Sequence, residues 1–164
     1  MKHKAYLLLG SNLGQRDTNL RMAYSLIENT VGVILQSSKV YESAAWGKED
    51  QPNFLNQVVE IQTTFNPYEL LEKLLWIETS LGRLREVKWG ERVIDIDILF
   101  YEDKIIEDQA LTIPHPGIPD RRFTLIPLNE IASTLTHPQL HKTMGQLLAV
   151  CEDKLKVWEY VTNS

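Results

Sequence analysis

Apolar and polar positions alternate along this chain in two rhythms, and the switches between them mark its elements. Ala5–Leu9 is a continuous apolar run, read as a strand, and Gly10-Ser11-Asn12-Leu13-Gly14 breaks it. Leu20, Ala23, Tyr24 and Ile27 then recur at helical spacing, which predicts a helix over about Gln15–Asn29. Gly32 precedes a long strand expected over Val33–Glu42. Ala44–Pro52 carries a glycine and a proline and no period, so it reads as a loop. Phe54–Thr64 is the next strand, with Leu55, Val59 and Ile61 on one face and Phe54, Asn56 and Val58 on the other. Asn66-Pro67 reads as the N-cap and first residue of a second helix. Leu70, Leu74, Ile77 and Leu81 form its buried stripe, and Gly82 ends it.

From Val93 to Phe100 the rhythm returns to two. Asp95 and Asp97 point to one face, and Ile94, Ile96 and Ile98 to the other, which belongs to a core. After Tyr101 come a turn at Glu102-Asp103-Lys104 and a short apolar run. Leu111–Phe123 is stiffened by Pro114, Pro116 and Pro119, each biasing its predecessor toward an extended form. Thr124–Ala132 is expected to start a helix that Pro127 interrupts. Thr143–Val150 fits a last short helix and Leu155–Val161 a final strand, with Trp158 and Tyr160 on one face assigned to the core. The order strand, helix, strand, strand, helix, strand is the split β-α-β arrangement of a ferredoxin-like α+β domain. It packs helices on one face of an antiparallel sheet and leaves the other face for functional side chains.

Composition narrows this further. The 164 residues make one domain's worth, so a single domain over 1–164 is expected. The 43% hydrophobic and 24% charged content is that of an ordinary soluble protein. A net charge of −5 argues against a nucleic-acid binder, which shows a basic excess. Cys151 is the one cysteine and cannot form an internal disulfide, so a reducing cytoplasm is expected. Ala5–Leu9 is too short for a signal peptide or a membrane span.

The candidate chemistry lies around the acidic strand. Two residues apart, Asp95 and Asp97 stand roughly 6–7 Å apart along one face. Taken alone, such a pair is most simply the polar outer face of a half-exposed strand. The neighbours change that reading. From 83 to 92 the chain carries Arg83, Arg85, Lys88 and Arg92 against Glu86 and Glu91, a local excess of two positive charges in an acidic protein. Arginine offers planar paired donors suited to phosphate, and Mg²⁺ takes carboxylate oxygens and completes its shell with water and phosphate. Cations beside a carboxylate pair are what a polyphosphate site needs. His115, between two prolines and followed by Arg121 and Arg122, reads as a fixed donor to an anion. The early Gly10–Gly14 stretch is not a P-loop, because Gln15-Arg16 follows where Lys-Ser/Thr is required. Phe54 and Asn56, on one strand face, offer a stacking surface and an in-plane amide for a flat heterocycle.

Four stretches together resemble the 6-hydroxymethyl-7,8-dihydropterin pyrophosphokinase family, from about Ala5 to Ala132. They are Gly10–Gly14; Asp50-Gln51-Pro52-Asn53-Phe54-Leu55-Asn56; Gly82-Arg83 through Trp89-Gly90 and Arg92 to Asp95-Ile96-Asp97-Ile98; and Ile113-Pro114-His115-Pro116 with Arg121 and Phe123. The resemblance implies an enzyme of folate synthesis that moves pyrophosphate from ATP to the pterin, attacking the β-phosphorus in line and releasing AMP. It implies that Asp95 and Asp97 hold two Mg²⁺ ions. Arg83, Arg92, Asp95 and Asp97 then form the catalytic set. ATP is expected at Arg85, Trp89, Arg92, Ile98, Thr112, His115 and Arg121. The pterin is expected between Phe54 and Phe123, hydrogen-bonded by Asn56 and bordered by Ser43, Ala44, Trp46 and Asp95. Arg83 and Trp89 lie where the family has a mobile loop. The expected partners are these small molecules alone, with no nucleic acid or membrane, and the chain is expected to act as a monomer.

Two rivals share parts of the pattern. Another Mg²⁺-dependent nucleotide transferase could use Asp-x-Asp, but the usual sugar-nucleotide fold shows repeated parallel units that this chain lacks. A ferredoxin-like RNA-binding domain would need exposed aromatics and a basic face, where this chain has acids.

Overall fold

The computed structural model describes residues 1–44, 52–83 and 93–161, and of Arg83 the backbone only. Its elements are β1 (His3–Ser11), α1 (Arg16–Thr30), β2 (Val33–Ser37), β3 (Tyr41–Ser43), β4 (Phe54–Thr63), α2 (Pro67–Glu78), β5 (Asp95–Tyr101), β6 (Ile106–Glu107), β7 (Thr112–Ile113), α3 (Arg122–Ala132), α4 (Met144–Val150) and β8 (Val157–Glu159). The main sheet runs β5-β1-β4-β3-β8, with β2 pairing β4 in line with β3. Every pairing in it is antiparallel.

Local chemistry accounts for the element ends. Asn66 caps α2 by accepting the Glu69 N–H while Glu69 returns a carboxylate to the Asn66 N–H, both at 2.9 Å, with Pro67 at the first helical position. Thr143 and Gln146 build the same box on α4. α2 runs on into a wider turn at Thr79–Arg83, where Gly82 takes a φ of 136° that disfavours any side chain.

α1 and α2 cover one face of the sheet, as the β-α-β-β-α-β order implies. Leu20, Ala23 and Ile27 of α1 and Leu70, Leu74 and Ile77 of α2 pack there on Leu7, Leu9, Leu55, Val59, Ile96 and Ile98. The opposite face is not left wholly open. α3 and α4 bring Leu125, Leu128, Met144 and Leu147 onto Leu8, Val58, Leu99 and Phe100 in a second apolar cluster. Leu8, Val58 and Leu99 are apolar on the second face too, so that part of the sheet had to be covered.

Three local expectations are corrected. The strand expected over Val33–Glu42 is two, because Ser38 is drawn in. Its hydroxyl accepts the Val58 N–H at 3.0 Å, and its carbonyl takes the Gln57 amide at 2.9 Å. Pro127 does not interrupt α3. It lies buried inside the helix, and packing of Leu125 and Leu128 offsets the lost backbone bond. Trp158 is 43% exposed, not core, because β8 is an edge strand; Tyr160 packs against the first cluster. The apolar run after the Glu102 turn is half of a β6–β7 hairpin.

Candidate active site

The register of the sheet places the candidate residues. Tyr41 on β3 pairs with Asn56 on β4, Asn56 with Gly10 on β1, and Gly10 with Asp95 on β5. Directly paired residues share a face, so these four form one row on the α3 side. The neighbouring row is Val58, Leu8 and Asp97. Gly10 is what keeps the first row open. A Cβ there would stand 2.9 Å from Asn56 Oδ1 and 3.7 Å from Phe54 Cδ1, so only glycine leaves the amide its place. The Asn56 side chain is buried, and its Nδ2 donates to the buried Ser43 Oγ at 3.4 Å. Phe54, two residues back on β4 and paired with Ser43, is half-buried beside it. Asn56, Ser43 and Phe54 are thus neighbours on one face, with Ala44 exposed where β3 ends.

On β5 the alternation holds for the acids. Asp95 and Asp97 are both half-buried on the site face, and Ile96 and Ile98 are buried on the other. Beyond them a bulge intervenes: Leu7 pairs with Ile98 and Tyr6 with Phe100, so Leu99 is an extra residue. The Leu99 carbonyl accepts the His115 N–H at 3.0 Å. That bond, with the neighbouring prolines, sets His115 beside the acidic strand.

The His115 ring has a defined tautomer. Nδ1 accepts the Gly117 N–H at 3.0 Å, so the proton of the neutral ring sits on Nε2, which lies 3.9 Å from Asp97 Oδ2. Burial pushes the imidazole below its ordinary range; Asp97 opposes the shift and the Arg121 guanidinium adds to it. Arg121 lies against the Gly117 backbone, where a Cβ would stand 2.7 Å from its Nε, and its guanidinium carbon is 5.7 Å from the centre of the Phe123 ring. Phe123 sits in the first turn of α3 and packs on the second cluster. Carboxylates, an imidazole N–H and a guanidinium therefore lie at one end of the sheet, with the Phe54 ring and the buried Asn56 amide along the same face.

The remaining expected residues sit differently. The Ile98 side chain is buried toward α1 and α2, away from the acids, because it is out of phase with Asp97. Thr112 is exposed on β7, which leads through Ile113 and Pro114 to His115. Arg122, grouped with Arg121 by sequence, turns away: its Nη1 donates to the Leu155 carbonyl at 3.3 Å and its N–H to Asp153. The Arg83 side chain and Trp46, Arg85, Trp89 and Arg92 lie outside the described residues.

Two contributing residues were not singled out by sequence. Glu78, buried at the end of α2, accepts the Ile96 N–H at 2.7 Å and so holds the backbone between the two acids. An acid directly beside the apolar stripe, next to Ile77, was the available signal. Asn12 is buried in the turn after β1 and donates to the Pro52 carbonyl at 3.3 Å. Among the described residues no group of three or more His, Cys, Asp or Glu side chains forms a metal cage. Nor is any described helix long and apolar enough to cross a membrane.

Residues 6–133 match the family described as 7,8-dihydro-6-hydroxymethylpterin-pyrophosphokinase (HPPK). The chain is 48% identical over 132 residues to a 2-amino-4-hydroxy-6-hydroxymethyldihydropteridine pyrophosphokinase of Bacillus subtilis, covering 80% of this chain and 79% of the relative. It is 44% identical over 141 residues to the Aquifex aeolicus protein of the same name, covering 86% and 88%. A crystal structure of Plasmodium falciparum HPPK-DHPS superposes with a TM-score of 0.75 at 19% identity, covering 91% of this chain. The chain spans 45% of that longer protein, and the likeness bears on the fold alone.

Proposed function

The chain belongs to the 7,8-dihydro-6-hydroxymethylpterin-pyrophosphokinase family, and we propose that it transfers pyrophosphate from ATP to 6-hydroxymethyl-7,8-dihydropterin in folate synthesis. As a member of that family it is an ATP-dependent pyrophosphokinase. One observation carries the assignment of sites: Gly10 stands between Asn56 and Asp95 in a single row, joining a pocket for a flat amide-edged ring to a pair of carboxylates. The pterin ring lies between Phe54 and Phe123 with its edge on Asn56, and Ser43, Ala44 and Trp46 border it. Its hydroxymethyl group then points toward Asp95.

The hydroxymethyl oxygen attacks the β-phosphorus of ATP. The bond from that phosphorus to the α–β bridging oxygen breaks, AMP leaves with the electron pair, and the hydroxyl proton is released. Arg121 and the Nε2–H of His115 hold phosphate oxygens, and Arg83, Arg85, Trp89 and Arg92 act from the 83–92 segment. Thr112 contributes at the nucleotide end. Any role for Ile98 there belongs to its backbone, because its side chain is buried on the other face.

The donor set suits Mg²⁺. Asp95 and Asp97 supply hard oxygens from one strand face, and the Asp97 side chain is 41% exposed. These two residues would hold two ions, which when bound offset phosphate charge and polarise phosphoryl oxygens. The proposal includes action as a single-domain monomer in the cytoplasm on small molecules alone, with neither nucleic acid nor membrane involved.

Chromatography of the nucleotides after incubating the protein with ATP, Mg²⁺ and the pterin tests this. AMP and a pterin diphosphate are expected, with no ADP. ADP as product would mean transfer of the γ-phosphoryl group and would discard the named reaction. Absence of pterin-dependent turnover in folded protein would discard the substrate as well.

A further inference from the structure

The proposed pterin wall includes two strand ends that pair with each other: Ser43, where β3 ends, and Phe54, where β4 begins. Directly behind them, on the α1 side, polar groups converge. Arg16, the first residue of α1, donates from a single nitrogen, Nη1, to Glu42 Oε2 and to the Asn53 carbonyl, both at 2.9 Å. The Asn53 amide reaches the same Glu42 oxygen at 3.5 Å. The Arg16 and Glu42 side chains are only 25% and 17% exposed. From the turn before α1, Asn12 holds the Pro52 carbonyl. The backbone at Pro52 and Asn53 is therefore tied to the α1 layer, and Glu42 ties the end of β3 to the same arginine.

Glu42, with its partner Arg16, lies on the opposite side of the sheet from Phe54 and Asn56. Glu42 pairs with Leu55, which lies in the α1–α2 cluster, one step out of phase with Ser43 and Phe54. We propose that Arg16 and Glu42 are positioning residues for the pterin, fixing how closely the Ser43 and Phe54 ends stand and hence the fit of the ring. The inference rests on the assignment of Phe54 and Asn56 to pterin binding. Its physical basis is the steepness of contact energy: a gap of about 0.5–1 Å forfeits a quarter to a half of the attraction between touching atoms. The phosphate end, at Asp97, His115 and Arg121, is built on other elements and does not depend on this clamp.

The test compares Arg16→Met, Arg16→Lys and Glu42→Gln with wild-type protein. Calorimetry measures the affinity for a non-hydrolysable ATP analogue, then for the pterin with that analogue saturating. Arg16→Met is expected to weaken pterin binding about tenfold while the analogue stays within about twofold. Arg16→Lys should recover most of the loss, because one nitrogen makes both contacts in the native protein and an ammonium can do the same. Glu42→Gln keeps the shape and should weaken pterin binding alone, so the test stands even where Arg16→Met does not fold. Unchanged pterin affinity in folded variants, or equal losses for both ligands, would overturn the inference. Wild-type protein that bound the analogue but no pterin would overturn the functional assignment together with it.

Discussion

Gly10→Ala is the sharpest test of the row that joins the two halves of the site. The added Cβ would stand 2.9 Å from Asn56 Oδ1, where ordinary contact starts at 3.4 Å, so the amide must retreat by about 0.5 Å. The backbone does not resist the change, since the positive-φ glycines of the described residues are Gly14 and Gly82. Stability should fall by no more than about 2.5 kcal/mol, because alanine restricts the unfolded chain by about 0.4–1 kcal/mol, against roughly 1–3 kcal/mol of crowding. Binding should suffer as well. An amide moved by that much loses the geometry of its hydrogen bonds to the ring, each worth about 1 kcal/mol net. Two such bonds, with some strain, amount to about 1–3 kcal/mol, or roughly fivefold to a hundredfold in pterin affinity. Calorimetry with pterin and with an ATP analogue, beside a thermal melt, gives all three quantities. A folded variant with native pterin affinity would refute the claim that Gly10 opens the site for Asn56.

Three further outcomes are expected. Asp97→Ala should abolish turnover while the melting temperature holds or rises, because removing one of two like charges relieves repulsion; near-normal activity at saturating Mg²⁺ would sink the metal assignment. Glu78→Ala should lower stability by about 1–3 kcal/mol in urea unfolding, since the buried Ile96 N–H loses its acceptor, and should raise the Mg²⁺ concentration for half-maximal rate. The depressed His115 pKa means that the unfolded chain binds its proton first, so stability falls as pH drops from 6.5 toward the lower folded value. His137, also lowered by burial, contributes with the same sign. His115→Gln should thus reduce, without removing, the slope of the urea midpoint between about pH 7 and 5; an unaltered slope would count against the buried neutral ring.

What this chain's sequence determined by itself was everything with a local cause. Period two sorted Asp95 and Asp97 from Ile96 and Ile98, and Phe54 and Asn56 from Leu55, because strand side chains alternate whatever the strand pairs with. Asn66 and Pro67 marked the start of α2 because capping is settled within a turn of backbone, whereas its end falls at Glu78, ahead of the Gly82 that the sequence offered. The tertiary structure decided what depends on partners far along the chain. The row Tyr41–Asn56–Gly10–Asp95 exists only in the register of four strands, so the purpose of Gly10 was invisible until Asn56 and Asp95 flanked it. The Leu99 bulge, which hands a carbonyl to His115, comes from an extra residue on β5 opposite β1. Pro127 sits inside α3 because burial of that helix on the second face outweighs a propensity that is only a local preference. The partners of Glu78 and Arg16 lie far along the chain. Glu78 accepts the Ile96 N–H of β5, and Arg16 donates to the Asn53 carbonyl just before β4 and to the Glu42 carboxylate on β3; every residue type carries the backbone groups, so the sequence pattern does not say which of them these side chains meet.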